Sequence, residues 1–264
     1  MVGRKKRSPR KQELLGSHQR SWIWGRNLVL ETLRAERWVP HELVLSEELD
    51  ESTRGEVIAA ARNLGATYEI APHARLEKLC QTRDHQGLLA KMPLFPYATV
   101  DEILEKATSP ELFVVLDSTQ DPFNFGAICR TACVFGADGI LIASKYQVGV
   151  TSQVARSSAG AVNRLRIARV EDLAGALYAL SERGVQTVAA ALDAEAAATE
   201  CDFRKPTALV IGNEGAGLTP KVSAACRHSV RIPQTSNFNS LNAAVATGVL
   251  LYEAHRQRIA TSHS

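Results

Sequence analysis

The chain of 264 residues holds no run of about 18 apolar residues, the length a helix needs to span a bilayer. Its N-terminus is basic and polar without an apolar core, so neither a membrane span nor a secretory signal is expected, and the cytoplasm is the expected compartment. Cysteine is scarce: five residues, an odd number at irregular spacing, argue against a disulfide framework and for a reducing environment. Cys129 and Cys133 fall one helical turn apart with no second pair and no nearby histidine cluster, and no metal site is expected of them. Phosphate-binding fingerprints are missing as well. No G-x-x-x-x-G-K-[ST] occurs, and the glycines at 212, 215 and 217 are spaced G-x-x-G-x-G, unlike the dinucleotide pattern. No internal repeat is present, nor any low-complexity tract beyond the first residues.

What the chain does contain is unevenly placed. Residues 1–20 hold seven basic side chains against Glu13, which leaves a net charge of −3 on the remainder of a chain whose total is +3. Such an arm is expected to be disordered alone and suited to phosphate contacts, each of which adds salt-sensitive affinity.

Beyond the arm, residues 21–91 read as a small α/β domain. Trp22 to Leu33 reads as a helix after a short lead, His41 to Ser46 as a strand, Glu51 to Leu64 as a helix capped by Gly65, and Thr67 to Ile70 as a strand. Gln86 to Ala90 is expected to close that sheet. Residues 92–110, with three prolines, read as a linker. From 111 onward, strand signals near 112–116, 139–143, 164–169, 186–192, 208–211 and 228–232 alternate with helical ones, the pattern of a mainly parallel sheet. The final helix, near 240–258, shows Leu241, Val245, Val249 and Tyr252 at spacings of four, four and three, with small residues between them that allow close approach of another backbone.

Three polar segments punctuate that second part. The apolar run Leu112–Leu116 leads into a loop that becomes a helix near Asn124 to Gly126; Ala208–Ile211 leads into Gly212-Asn-Glu-Gly-Ala-Gly217, with Thr219-Pro220 starting a helix. The third runs from Ile232-Pro233 through Ser240-Leu241-Asn242 into the final helix, where caps and unsatisfied N–H groups are concentrated. Each alone is equally a turn or a cap.

Together, in this order and at this separation, D-P-x-N-x-G-A-I-x-R-T-A at Asp121 to Ala132, I-G-N-E-G-x-G-L at Ile211 to Leu218, and I-P with S-L-N-x-x-V-A at Ile232 to Ala246 resemble the motifs of the SpoU (TrmH-like) RNA ribose 2'-O-methyltransferases of the SPOUT class. The resemblance covers residues 111–258. It implies a SPOUT-type trefoil-knotted, mainly parallel α/β domain, preceded by a smaller ribosomal-protein-like RNA-binding domain. It also implies S-adenosylmethionine as cofactor, RNA as substrate, no metal, and a homodimer whose sites are completed across the interface. By motif position Asn124, Arg130, Glu214, Ser240 and Asn242 are the expected catalytic residues, and Gly212, Ile232 and Leu241 the expected cofactor contacts. Glu214 is expected to hold Asn242 or Arg130, and Arg156, Ser157 and Ser158 either line the same pocket or form a capped turn.

The two-domain layout resembles members that methylate a guanosine of 23S rRNA. Transfer RNA is the alternative target, and a non-catalytic RNA-binding assembly factor is the alternative class. Arg26, Arg34, Arg37, Arg83 and His85 are candidate RNA contacts in the first domain. A sulfonium donor is already electrophilic, so the protein has to align it with the attacking oxygen and help remove the hydroxyl proton. A free guanidinium stays protonated far above neutral pH, so Arg130 is read as a phosphate clamp and alkoxide stabiliser, with the final proton acceptor left open.

Overall fold

A computed structural model describes residues 13–17, 20–235 and 240–261. The chain forms two compact units, Met1–Phe95 and Pro96–Ser264. Among the described residues no helix is long and apolar enough to cross a membrane.

The first unit consists of β1 (Trp22–Trp24), α1 (Arg26–Ala35), β2 (Glu42–Ser46), α2 (Glu51–Leu64), β3 (Thr67–Ala71), α3 (His73–Cys80) and β4 (Leu88–Lys91). Its sheet runs β1-β4-β2-β3, parallel only between β2 and β3. α2 has the bounds its sequence signals: the Asp50 carboxylate accepts the Thr53 N–H at 2.9 Å, and Gly65 ends the helix at φ 70°. The helix expected from Trp22 instead begins at Arg26. Trp22 and Ile23 are buried in the strand β1, whose aromatic and β-branched side chains suit a sheet, and Gly25 at φ 103° separates strand from helix. Within the basic arm, residues 1–12 and 18–19 lie outside the described residues, whereas Leu14 bridges Pro93 and the Leu15 N–H reaches the Met92 carbonyl at 3.2 Å.

The second unit contains α4 (Val100–Leu104), β5 (Leu112–Leu116), α5 (Pro122–Val134), β6 (Gly139–Ala143), α6 (Ser152–Ser157), β7 (Arg166–Val170), α7 (Leu173–Glu182), β8 (Gln186–Ala190), β9 (Thr207–Ile211), α8 (Pro220–Ala225), β10 (His228–Val230) and α9 (Ala243–Thr261). All six strands are parallel, in the order β10-β8-β9-β5-β6-β7. The central strands β5 and β9 are buried along their whole length, as parallel strands covered on both faces must be. Part of the segment read as a linker is helical: Thr99 and Glu102 form a capping box at the start of α4, and Ile103 is buried in this unit's core. From β5 the chain moves outward through β6 and β7, then returns to place β9 on the other side of β5. The carboxyl ends of β5 and β9 therefore form the kind of switch point where α/β sheets bind ligands.

α9 settles which side of the final helix faces inward. Ala243, Thr247, Leu250, Leu251 and Ala254 are buried, and Gly248 comes within 3.7 Å of Thr131 on α5 when a Cβ is placed on it. The stripe that marks the helix in the sequence is the outward one: Leu241, Val245, Val249 and Tyr252 are all exposed.

Candidate active site

Three loops converge at the carboxyl ends of β5 and β9. The first leaves β5 and is stopped by Asp121, whose side chain accepts the Phe123 N–H at 3.0 Å; with Pro122 in the first turn, α5 starts there and carries Asn124. Asn124 is fully committed at both ends of its amide. Its Nδ2 donates to Glu214 Oε1 at 2.6 Å, and its Oδ1 accepts from Asn242 Nδ2 at 2.9 Å. Asn242 in turn caps α9, its Oδ1 accepting the Ala244 and Val245 N–H groups at 2.9 and 3.3 Å. One side chain from each sequence motif thus joins a single hydrogen-bonded row, Glu214–Asn124–Asn242. The near partner of Glu214 is Asn124, with Asn213 Nδ2 at 3.5 Å from its other oxygen, whereas the sequence pointed to Asn242 or Arg130.

The loop after β9 is held by residues that the motif reading did not single out. Asn213 and Gly217 exchange two backbone hydrogen bonds of 2.9 Å, and Asn213 Oδ1 accepts from the Gly215 and Ala216 N–H groups at 2.9 and 3.1 Å. Asn213 Nδ2 donates to the Ser118 carbonyl at 2.9 Å, while the Thr219 N–H donates at 2.7 Å to Asp117, a carboxylate only 3% exposed. Thr219 therefore opens α8 without a side-chain cap, its amide satisfied from β5. A polar residue directly after an all-apolar strand, as Asp117 follows Leu116, was the available signal. Gly212 has a local role: a Cβ there would lie 2.3 Å from the Gly217 carbonyl carbon and 2.5 Å from the Leu218 nitrogen, so only glycine lets the loop close on itself.

Arg130 stands apart from this row. It is exposed, and among the described residues its side chain has no hydrogen bond or ion pair. Seven residues after Phe123 and four before Val134, it shares their face of α5, and those two are 59% and 70% exposed. Ser240 is exposed, Ile232 half-buried and Leu241 37% exposed; residues 236–239 of the third motif lie outside the described residues. The hydroxyls of Ser157 and Ser158 are taken up by neighbouring carbonyls. The Ser157 hydroxyl lies between α5 and α6 within hydrogen-bonding reach of the Pro122 and Gln153 carbonyls, where a Cβ on Gly126 would meet it at 1.8 Å, and Ser158 Oγ donates to the Ala155 carbonyl at 2.9 Å.

In the first unit the candidate RNA contacts are mostly engaged. Arg26 pairs with Asp50, Arg34 with Glu56 at 2.8 Å and Arg83 with Glu77 at 3.6 Å. His85 is fully buried and cannot meet RNA. His73, Glu77 and His85 bring potential ligand atoms within 4.8 Å of one another, but His85 Nδ1 accepts the Gly87 N–H at 3.1 Å. Its Nε2 therefore carries the ring hydrogen and offers a donor in place of a lone pair. Burial, reinforced by His73, holds the His85 pKa below the usual histidine range.

The SpoU rRNA Methylase family matches residues 111–252, and the RNA 2'-O ribose methyltransferase substrate-binding family matches residues 22–98. The chain belongs to the SpoU family, and with it to the RNA 2'-O-ribose methyltransferases that take S-adenosylmethionine as methyl donor. A TrmH-family tRNA/rRNA methyltransferase relative from Bacillus subtilis, YacO, is 36% identical over 245 residues, which cover 92% of this chain and 98% of that protein. Among solved structures, the SpoU methyltransferase AviRb of Streptomyces viridochromogenes with AdoMet bound superposes with a TM-score of 0.78 at 26% identity, covering 90% of each chain. The AdoMet-bound rRNA methyltransferase of Sinorhizobium meliloti superposes with a TM-score of 0.75 at 29% identity, covering 89% of this chain and 86% of that one.

Proposed function

We propose that this chain methylates a ribose 2'-hydroxyl in structured RNA, with a guanosine of 23S rRNA as the target, and acts in the cytoplasm as a homodimer whose C-terminal unit carries the family's trefoil knot. The observation that carries the reading is the Glu214–Asn124–Asn242 row, which ties together motifs 90 and 118 residues apart in the chain. A scaffold kept only for binding has no need of so committed a polar row.

The donor chemistry present fits S-adenosylmethionine. Ile232 and Leu241 offer apolar surface to an adenine ring, residues 212–218 offer backbone amides and carbonyls, and the buried Thr119 hydroxyl has no partner among the described residues. When bound, the sulfonium supplies an electrophilic methyl group. Asn213 and Asp117 fix the loop that receives it; Asn124, locked at both ends, fixes the start of α5 and the entry of α9 against that loop. Arg130, free to meet an anion, clamps an RNA phosphate and stabilises the developing alkoxide. Ser240, exposed at the entry of α9, is assigned to the substrate side.

Dimerisation is supported by the outward faces of α5 and α9. Phe123, Val134, Val245, Val249 and Tyr252 are exposed side chains on helices that pack together, with Arg130 among them. A second copy docking there would bring Arg130 to the interface. The first unit is assigned to RNA selection.

The deciding experiment maps 2'-O-methyl marks in rRNA and tRNA from a deletion strain, with and without the gene restored. A mark lost from 23S rRNA and regained on complementation is expected. A mark lost from tRNA instead would redirect the target, and no lost mark with no methyl transfer in vitro would favour an assembly factor.

A further inference from the structure

The loop from β6 to α6 carries an exposed aromatic that the fold does not require. Tyr146 is 81% exposed and lies at φ 58°, in the left-handed region that bulky L-residues rarely adopt. Exposure alone carries no weight, because single apolar side chains are scattered over every protein surface. Here the exposed ring coincides with a backbone conformation that glycine or asparagine adopts with less strain, and strained residues gather where function holds them.

The loop beneath Tyr146 is firmly held. The Ser144 N–H donates to the Val170 carbonyl at 2.8 Å, and Arg169 Nη2 donates to the Ser144 carbonyl at 2.9 Å. On the other flank Gln147 Oε1 accepts the Thr119 N–H at 2.8 Å, the Val148 N–H donates to the Thr119 carbonyl at 2.9 Å, and the Val150 N–H donates to the Tyr97 hydroxyl at 2.7 Å. Thr119 lies between Asp117, which holds the 212–219 loop, and Asp121, which caps the helix bearing Asn124. The ring is therefore presented on a fixed base at the same end of the sheet as the candidate active site. Lys145 beside it is also exposed.

We propose that Tyr146 is a stacking platform for an unpaired base of the RNA substrate, with Lys145 meeting the adjoining phosphate. This rests on the RNA methyltransferase reading of the site. Every base has a π-face, unpaired bases are what RNA-binding proteins stack on aromatic rings, and a platform on a pinned loop loses little freedom on binding. The β6–α6 loop would then select nucleotide context, while the Glu214–Asn124–Asn242 row serves the chemistry.

The test uses the full-length protein, tritiated S-adenosylmethionine and RNA extracted from a deletion strain. Tyr146→Ala is expected to raise KM for RNA about 10-fold, with kcat and cofactor affinity within about twofold, and Tyr146→Phe to restore KM to within about threefold of wild type. Lys145→Gln is expected to lower the salt slope of RNA binding by about one. Tyr146→Gly should melt no lower than wild type, since it removes strain without removing packing. An unchanged KM in Tyr146→Ala, or a loss that phenylalanine does not rescue, overturns the stacking role while leaving the methyltransferase reading intact. No methyl incorporation by the wild type overturns that reading itself.

Discussion

Three arginines of the first unit contrast sharply with Arg130 of the second. In the first unit Arg26 faces the Asp50 cap of α2, Arg34 faces Glu56 on α2 and Arg83 faces Glu77 on α3, whereas the Arg130 side chain on α5 has no partner among the described residues. Exposed ion pairs contribute little stability, about 0–1 kcal/mol each, so the pairing is a weak structural bond. Its larger effect is on availability: a guanidinium already facing a carboxylate must give up that partner before it meets a phosphate, and an unpaired one need not. Under the proposed reading, the contrast separates arginines that serve a surface from one left available to an anion.

The sharpest way to break this comparison is at Arg130. Arg130→Ala is expected to lose about 100-fold or more in single-turnover methyl transfer, Arg130→Lys to keep part of the rate through its point charge, and cofactor affinity to stay within about twofold. A wild-type rate in the alanine variant would return Arg130 to the class of ordinary surface residues. Next in size is the face on which it stands. Val249→Asp places a charge in the outward stripe of α9 and is expected to leave a folded monomer by sedimentation, with activity reduced by about 30-fold. A dimer of unchanged affinity would remove that stripe from the interface.

Gly212→Ala should act through the loop. The added Cβ strikes backbone, which cannot swing aside, so melting temperature and cofactor affinity should fall together, the latter about 10-fold. Weakened cofactor binding in a protein of unaltered stability would mean that the position faces ligand. On the paired side, Arg34→Ala is expected to change RNA affinity by less than about threefold. A loss of about 10-fold would show that the pair with Glu56 opens for RNA.

The smallest effect concerns His85. Burial lowers its folded pKa, so the folded first unit binds fewer protons than the unfolded chain, and the stability associated with the neutral ring is present above the unfolded value of 6.5 and lost as pH falls below it. His73 and Glu77 face it, the first reinforcing the lowering of the His85 pKa and the second opposing it. All three tryptophans lie in this unit, so tryptophan fluorescence in urea reports on it selectively. The midpoint should drop between about pH 7.5 and about pH 5.5, and less so in His85→Asn.

What the sequence revealed and what it hid have separate physical causes. α2 was legible to the residue because Asp50 and Gly65 act locally, and β5 and β9 because unbroken apolar runs of five and four residues leave little alternative. β1 was hidden because three residues are too few to show a period, and its partner β4 lies more than sixty residues away. The α9 stripe identified the helix but not the face it buries: periodicity marks an apolar side without saying whether core or partner covers it. At the site, the motifs located Asn124, Glu214 and Asn242, yet the order of their bonding, the buried Asp117 and the double-ended Asn213 depend on distances that sequence does not carry.

The far end of α9 has a bearing on how activity arises during folding. Arg258 donates to the carbonyls of Pro110, Glu111, Phe203 and Lys205, the segments that lead into β5 and β9, while Asn242 at the opposite end holds Asn124. These anchors lie between 53 and 148 residues from their partners, so the helix seats fully only once β5 and β9 lie side by side. Contacts of such long range form slowly. The row that organises the site should be among the last features completed, and in refolding experiments methyl transfer should recover no sooner than the slowest spectroscopic phase. Until α9 docks, the chain would be a folded sheet without catalytic competence, and commitment to RNA would follow completion of the fold.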